Sequence, residues 1–171
     1  ENFHIRRKGI CERRIDKIEK YLVESNSLLD IGAGGGTFLN MAKTFIPDYE
    51  ATEVSDLCAY NLKQDGHKVH HGAFTKMNLD REYDLVTCWH VLEHVQDIQS
   101  FVPKAKQVTK KYLVIEVPID RRLRNPDSDF DGHFHYFSEK SLRILFEKDF
   151  NFLYLGEGIQ NPALLCILQK K

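Results

Sequence analysis

The chain has 171 residues, 42% hydrophobic and 29% charged, with 24 Lys and Arg against 25 Asp and Glu for a net charge of −1. That length suits one domain spanning residues 1–171 with a core of its own, and the composition excludes a disordered chain. The charge balance argues against a non-specific nucleic-acid binder, and no apolar run nears the ~18 residues of a membrane span.

The first element predicted is a helix from about Ile10 to Val23, where Ile10, Arg14, Ile18 and Leu22, with Ile15, share one face at i/i+4 spacing. Ser27 to Ile31 is a short apolar run that suits a buried strand. Ala33 to Gly36 interrupts it, and Thr37 to Thr44 reads as a helix. Tyr49 to Val54 is a second strand. Asp56 to Gln64 is a helix with Gly66 beyond its end, where a left-handed residue is easily placed. Lys68 to His71 is a short third strand and Tyr83 to Cys88 a fourth. A helix over Asp97 to Val108 leads to a fifth strand, Tyr112 to Val117, stopped by Pro118. Ser138 is the N-cap of a helix to Glu147. Phe150 to Leu155 and Ala163 to Leu168 follow as two strands with only a short loop between them, so they pair as an antiparallel hairpin.

Alternating strands and helices imply an α/β fold: a Rossmann-like, doubly wound, mostly parallel sheet of about seven strands, with one of the last two reversed. Pro118 to Phe137 is a 20-residue connection without a strong pattern, and loops of that length are usually functional. Cys11, Cys58, Cys88 and Cys166 match no zinc spacing, and no charged-then-apolar leader opens the chain, which begins at Glu1. These features predict reduced thiols and a cytoplasmic protein.

The strongest local signal is Leu28 to Gly36, where a strand enters a glycine-rich turn and then a helix, leaving backbone N–H groups open to a ligand. A dinucleotide site needs G-x-G-x-x-G. Here Gly32 and Gly34 fit, but Thr37 stands third. Asp30, two residues before the turn, would repel a pyrophosphate and suits a ligand carrying positive charge. Glu53 lies 21 residues after Gly32 at the end of the second strand, the place for a carboxylate that accepts ribose hydroxyls.

Together, Leu28 to Gly36, Glu53, Tyr83 to Val95 and Tyr112 to Pro118 resemble a class I S-adenosylmethionine (SAM)-dependent methyltransferase. The likeness is greatest to the small-molecule type 11/type 23 branch with its ubiquinone-biosynthesis O-methyltransferases. The resemblance implies a seven-stranded sheet with an antiparallel last strand. It implies SAM as cofactor, S-adenosylhomocysteine (SAH) as product, and methyl transfer to a small molecule, with an oxygen nucleophile favoured. Asp30, Gly32, Ala33 and Gly34 would line the methionine part, Glu53 the ribose and Val54 the adenine. Ala73 and Phe74 would replace the acidic residue many relatives place after the third strand, and Cys88 and Trp89 complete the pocket. A nicotinamide-dependent oxidoreductase and a non-catalytic SAM/SAH-binding module are the rival readings.

Three segments meet at the strand ends: the glycine turn, Cys88 to His94, and Pro118 to Phe137. His90, Glu93 and His94 lie at i, i+3 and i+4 and would share one face if helical. His90 is a candidate general base. Some relatives carry Glu-x-x-Glu-His here for a divalent metal, but His90 replaces the first Glu, and no residue is assigned to a metal. His133 and His135 are the other candidates for substrate contact or base duty, with Phe130, Phe134, Tyr136 and Phe137 able to wall an apolar pocket. Asp127, Asp129 and Asp131 imitate the start of a calcium loop that lacks its final Glu. Arg121, Arg122 and Arg124 would suit a phosphorylated acceptor. The partner expected is a small molecule rather than nucleic acid or membrane, and oligomeric state is left open.

Overall fold

A computed structural model describes residues 2–119, 132–160 and 162–171. Helix α1 (Asn2–Val23) begins eight residues earlier than the apolar spacing implies. Strands β1 (Leu28–Ile31), β2 (Tyr49–Glu53), β3 (Val69–His71), β4 (Tyr83–Trp89), β5 (Thr109–Pro118), β6 (Phe150–Glu157) and β7 (Ala163–Lys170) alternate with α2 (Thr37–Ala42), α3 (Asp56–Gln64), α4 (Ile98–Val108) and α5 (Glu139–Phe146).

The sheet has seven strands in the order β3-β2-β1-β4-β5-β7-β6. Strands β1 to β5 pair in parallel, and β7 runs antiparallel to both β5 and β6. The reversed strand is therefore β7, inserted between its hairpin partner and β5. Pro118 does not end β5 early: it pairs with Ala163 at the last register position.

β1 and β4 are buried along their whole length, as central strands covered on both faces must be. Alternation sorts their side chains. Leu29, Ile31, Val86, Cys88, Leu113 and Ile115 pack with α4 and α5 residues such as Phe101 and Leu142. Leu28, Leu85, Trp89 and Val114 pack with Ile15, Ile18 and Leu22 of α1 and Phe38 of α2. Asp30, Thr87 and Glu116 share this second parity, which puts three polar side chains on the α1 face of the sheet.

The helix ends are set by short-range chemistry. Ser55 caps α3 by accepting from the Cys58 amide. Ser138 and Ser141 form a reciprocal capping box at the start of α5. Asp97 caps α4 by accepting from the Ser100 amide. Gly66 closes the end of α3 at φ 82.

Candidate functional site

The carboxyl ends of β1 and β4 face a cavity of about 500 Å³. One wall is the glycine turn from Asp30 to Gly35, a second is α1 from Arg6 to Arg14, and a third carries Trp89, His90, Glu93, His94 and His133. The β6–β7 connection adds Gln160.

The turn is built from backbone that only glycine adopts freely. Gly32, Gly34 and Gly36 have φ of 72, 56 and 73°. A Cβ at Gly32 would collide with Val91 Cγ2, whereas at Gly34 nothing lies within 4 Å. Gly34 thus leaves an open cradle, and Gly32 is a close approach. Gly32→Ala is expected to cost about 2 kcal/mol or more in a urea melt, from left-handed strain plus overpacking. A loss below about 0.5 kcal/mol would show that the turn relaxes instead.

Two carboxylates flank the turn. Asp30 is 1% exposed and accepts from Thr87 Oγ1 at 2.7 Å. Burial raises its pKa to about 7; the Thr87 bond and the Arg14 charge only partly offset this, and the Glu53 charge adds to the rise. Glu53, at the end of β2, accepts from the amides of Gly34 at 2.7 Å, Val54 at 2.9 Å and Ser55 at 2.8 Å. A carboxylate has about four lone-pair sites, so these bonds leave room for further donors. Val54 is 68% exposed beside it.

Other expected contacts fall elsewhere. Cys88 is fully buried and, by strand alternation, faces α4 rather than the cavity. Phe74 packs on Phe101 with ring centroids 5.3 Å apart and belongs to the core, while Ala73 immediately precedes the 3-10 turn that begins at Phe74. Trp89 does line the cavity, wedged between Phe38 and the Arg14 guanidinium, which lies 4.7 Å from its ring centroid.

The histidines divide. Trp89 to Val95 is not one helix: His90 sits in left-handed backbone at φ 56, and a 3-10 turn begins only at Leu92. Such a conformation costs a non-glycine residue about 1–3 kcal/mol and persists only when its surroundings fix it. His90 Nε2 is 2.9 Å from Glu116 Oε1, and Nδ1 is 3.4 Å from Glu93 Oε1. Burial would lower its pKa, but the bonds to the two carboxylates outweigh burial and raise it. The ring is thus braced between two acidic side chains, one on the end of β5 and one on the 3-10 turn. His133 reaches the cavity. His135, two residues on, does not line it, and its ring packs 6.2 Å from Phe137.

Glu93, His94 and His133 have ligand atoms all within 4.8 Å of one another. Among the described residues this is the set able to hold a metal, with His133 in place of His90. The Nδ1 of His94 is 3.1 Å from the Gly132 carbonyl, an arrangement that would leave Nε2 as the ligand atom. The Glu93 carbonyl in turn accepts from the Phe134 and His135 amides, which ties the loop to the 3-10 turn. Phe130, Arg121, Arg122, Arg124, Asp127, Asp129 and Asp131 lie outside the described residues.

Sequence reasoning missed two site residues. Arg14 Nη2 and Glu116 Oε1 pair at 2.6 Å across 102 residues of sequence, with Glu116 fully buried. Burial would raise the Glu116 pKa, but the His90 bond and the Arg14 charge hold it down at about 2. The signal was an Arg inside an apolar helical stripe and a Glu inside an apolar strand.

A family model described as a methyltransferase domain matches residues 3–155. Ubiquinone biosynthesis O-methyltransferases from two strains of Rickettsia bellii are each 28% identical over 116 residues, 63% of this chain and 48% of theirs. The chain therefore spans about half the length of the curated relatives it matches. Among solved structures, a S-adenosylmethionine-dependent methyltransferase from Clostridium acetobutylicum superposes with a TM-score of 0.76 at 11% identity, covering 94% of this chain and 90% of that one. Magnesium protoporphyrin IX methyltransferase from Synechocystis with bound SAH gives 0.77 at 10% identity, covering 96% and 84%. The N-methyltransferase NodS from Bradyrhizobium japonicum gives 0.72 at 12% identity, covering 95% and 97%. These structures share the fold.

Proposed function

The chain belongs to the methyltransferase-domain family, and from that premise we propose that it transfers the methyl group of SAM to a small-molecule acceptor, with an oxygen nucleophile favoured. The observation that carries this reading is one cavity joining a carboxylate-flanked glycine turn to a wall of histidines. The residues present fit the cofactor. Gly34 offers an open cradle, and Asp30 and Glu53 suit a ligand with cationic groups and no phosphate. The same carboxylates disfavour the pyrophosphate of a nicotinamide dinucleotide.

Asp30, Gly32, Ala33 and Gly34 would hold the methionine part, Glu53 the ribose, and Val54 would flank the adenine, while Trp89 lines the cavity. When bound, SAM supplies a methyl group on a positively charged sulfur. The protein's share is to align an acceptor, exclude water and receive a proton. With His90 held between two carboxylates, His133 is the side chain we assign to acceptor contact and proton removal. The near-neutral charge of the chain supports a small acceptor over a polyanion. Among the described residues no helix is long and apolar enough to cross a membrane.

SAH at one hundred times its Kd is expected to stabilise the protein by about 2.7 kcal/mol. For a chain of this size that raises Tm by roughly 5–10 °C in a thermal melt. No shift at saturating SAH sinks the reading, and a shift with NAD alone favours an oxidoreductase. Labelled SAM with a metabolite extract then separates an enzyme from a binding module: labelled small-molecule product is the expected result.

A further inference from the structure

Glu116 does not line the cavity, yet four bonds converge on it. The His90 amide donates to its backbone carbonyl at 2.8 Å, and the His90 ring meets its Oε1 at 2.9 Å. Arg14 Nη2 donates to the same Oε1 at 2.6 Å, and the Ile159 amide donates to Oε2 at 2.6 Å. Arg14, His90 and Gln160, the neighbour of Ile159, each line the cavity and come from α1, the end of β4 and the β6–β7 connection.

We propose that Glu116 is a positioning residue that holds these three elements together as the acceptor-side wall of the site and fixes His90 in its left-handed backbone. The inference rests on the methyltransferase reading for what the wall receives. Every side-chain partner of Glu116 is a donor, so the position needs a group that only accepts, with two oxygens at the reach of a Glu. A glutamine would turn an NH2 against one of those donors, and an aspartate would fall short. A buried ion pair is weak evidence for stability as such. A strained residue that the same pair fixes beside a cavity is what marks this one as functional. The cofactor-side turn is held separately: Gly32 donates to the Thr52 carbonyl at 2.9 Å and Gly34 to Glu53 Oε2 at 2.7 Å, with no bond to Glu116.

Glu116→Gln tests the proposal by three readouts against wild type. SAH affinity by calorimetry is expected to stay within about twofold. Exchange of the Ile159 amide is expected to quicken at least tenfold and the His90 ring resonances to move, with β1 and β2 resonances in place. Transfer of labelled methyl from SAM to a small-molecule extract is expected to fall a hundredfold or more. The proposal is overturned if transfer stays within threefold, if SAH affinity falls by the same factor as transfer, or if the Ile159 and His90 signals do not change. Should wild type bind SAH and methylate nothing in the extract, the resonance and affinity arms decide. Where Glu116→Gln fails to fold, Ile159→Pro, which lacks the amide donor to Oε2, is read by the His90 ring resonances, SAH affinity and methyl transfer at the same thresholds. Failure of wild type to bind SAH sinks the cofactor reading, while the exchange and resonance arms still report on Glu116.

Discussion

Asp30→Asn is expected to make the ligand-free protein more stable at pH 8 while weakening its hold on SAM. The Asp30 pKa rises from 3.8 to about 7 on folding, because burial penalises the charge. Between about pH 4 and 7 the folded state therefore keeps a proton that the unfolded chain has released. Stability falls as pH rises through that window and stays lower above it. A shift of about 3 units corresponds to roughly 4 kcal/mol. Asparagine carries no such penalty and keeps an oxygen for the Thr87 hydroxyl, which donates to Oδ1. The stability gap between variant and wild type should be small at pH 4 and widen to several kcal/mol by pH 8, read from urea midpoints across the range. The carboxylate that costs stability is the one we assign to the cationic ligand, so SAM affinity should drop tenfold or more at pH 8. SAH, which lacks the sulfonium charge, should lose less. A variant less stable at pH 8, or a gap independent of pH, would refute the burial argument. Such an exchange of stability for function is common at sites that hold charge in the core.

The parts of the fold legible in the sequence were those written locally. The glycine turn, the capping serines and the apolar strands each declare themselves within a few residues, and their alternation leaves few topologies. The short β6–β7 connection forces an antiparallel pair, but which strand lies against β5 depends on contacts such as Ile115 with Cys166, 51 positions away. The site was half legible. Gly32, Gly34 and Glu53 follow from the strand–turn–helix pattern. Cys88 and Trp89 are neighbours in sequence, but neighbouring strand residues face opposite layers, and of the two only Trp89 turns to the cavity. The shared face of His90, Glu93 and His94 depended on a helix, and the left-handed backbone at His90 removes it. His133 and His135 look alike as a pair, and only loop geometry sends one to the cavity. Arg14 and Glu116 each stand out as charges in apolar patterns, but nothing local announces that they meet.

That meeting underlies the second large effect. Arg14→Met should destabilise the protein by about 3 kcal/mol or more, because it leaves Glu116 buried with one counter-ion fewer. The Arg14 side chain is 10% exposed and that of Glu116 0%, so water can replace little of the lost contact. His90 remains as a partner, which sets the expectation near the low end of the range for a broken buried pair. For a chain of this length that is roughly a 6–12 °C fall in Tm. Stacking of the guanidinium on Trp89 contributes to the same number, so Arg14→Lys, which keeps charge but not the planar fork, should recover only part of it. Removing Lys20, whose contact with Glu24 is 3.9 Å between exposed side chains, should change nothing measurable. The loss also has a pH signature. Glu116 is held at about 2 in the fold and titrates near 4.5 when unfolded, so the stability of the pair is full above about pH 4.5 and disappears as pH falls toward 2. Wild type and Arg14→Met should therefore converge in acid. A cost below 1 kcal/mol at pH 7, or a gap that persists unchanged at pH 2.5, would mean that Arg14 acts through packing alone.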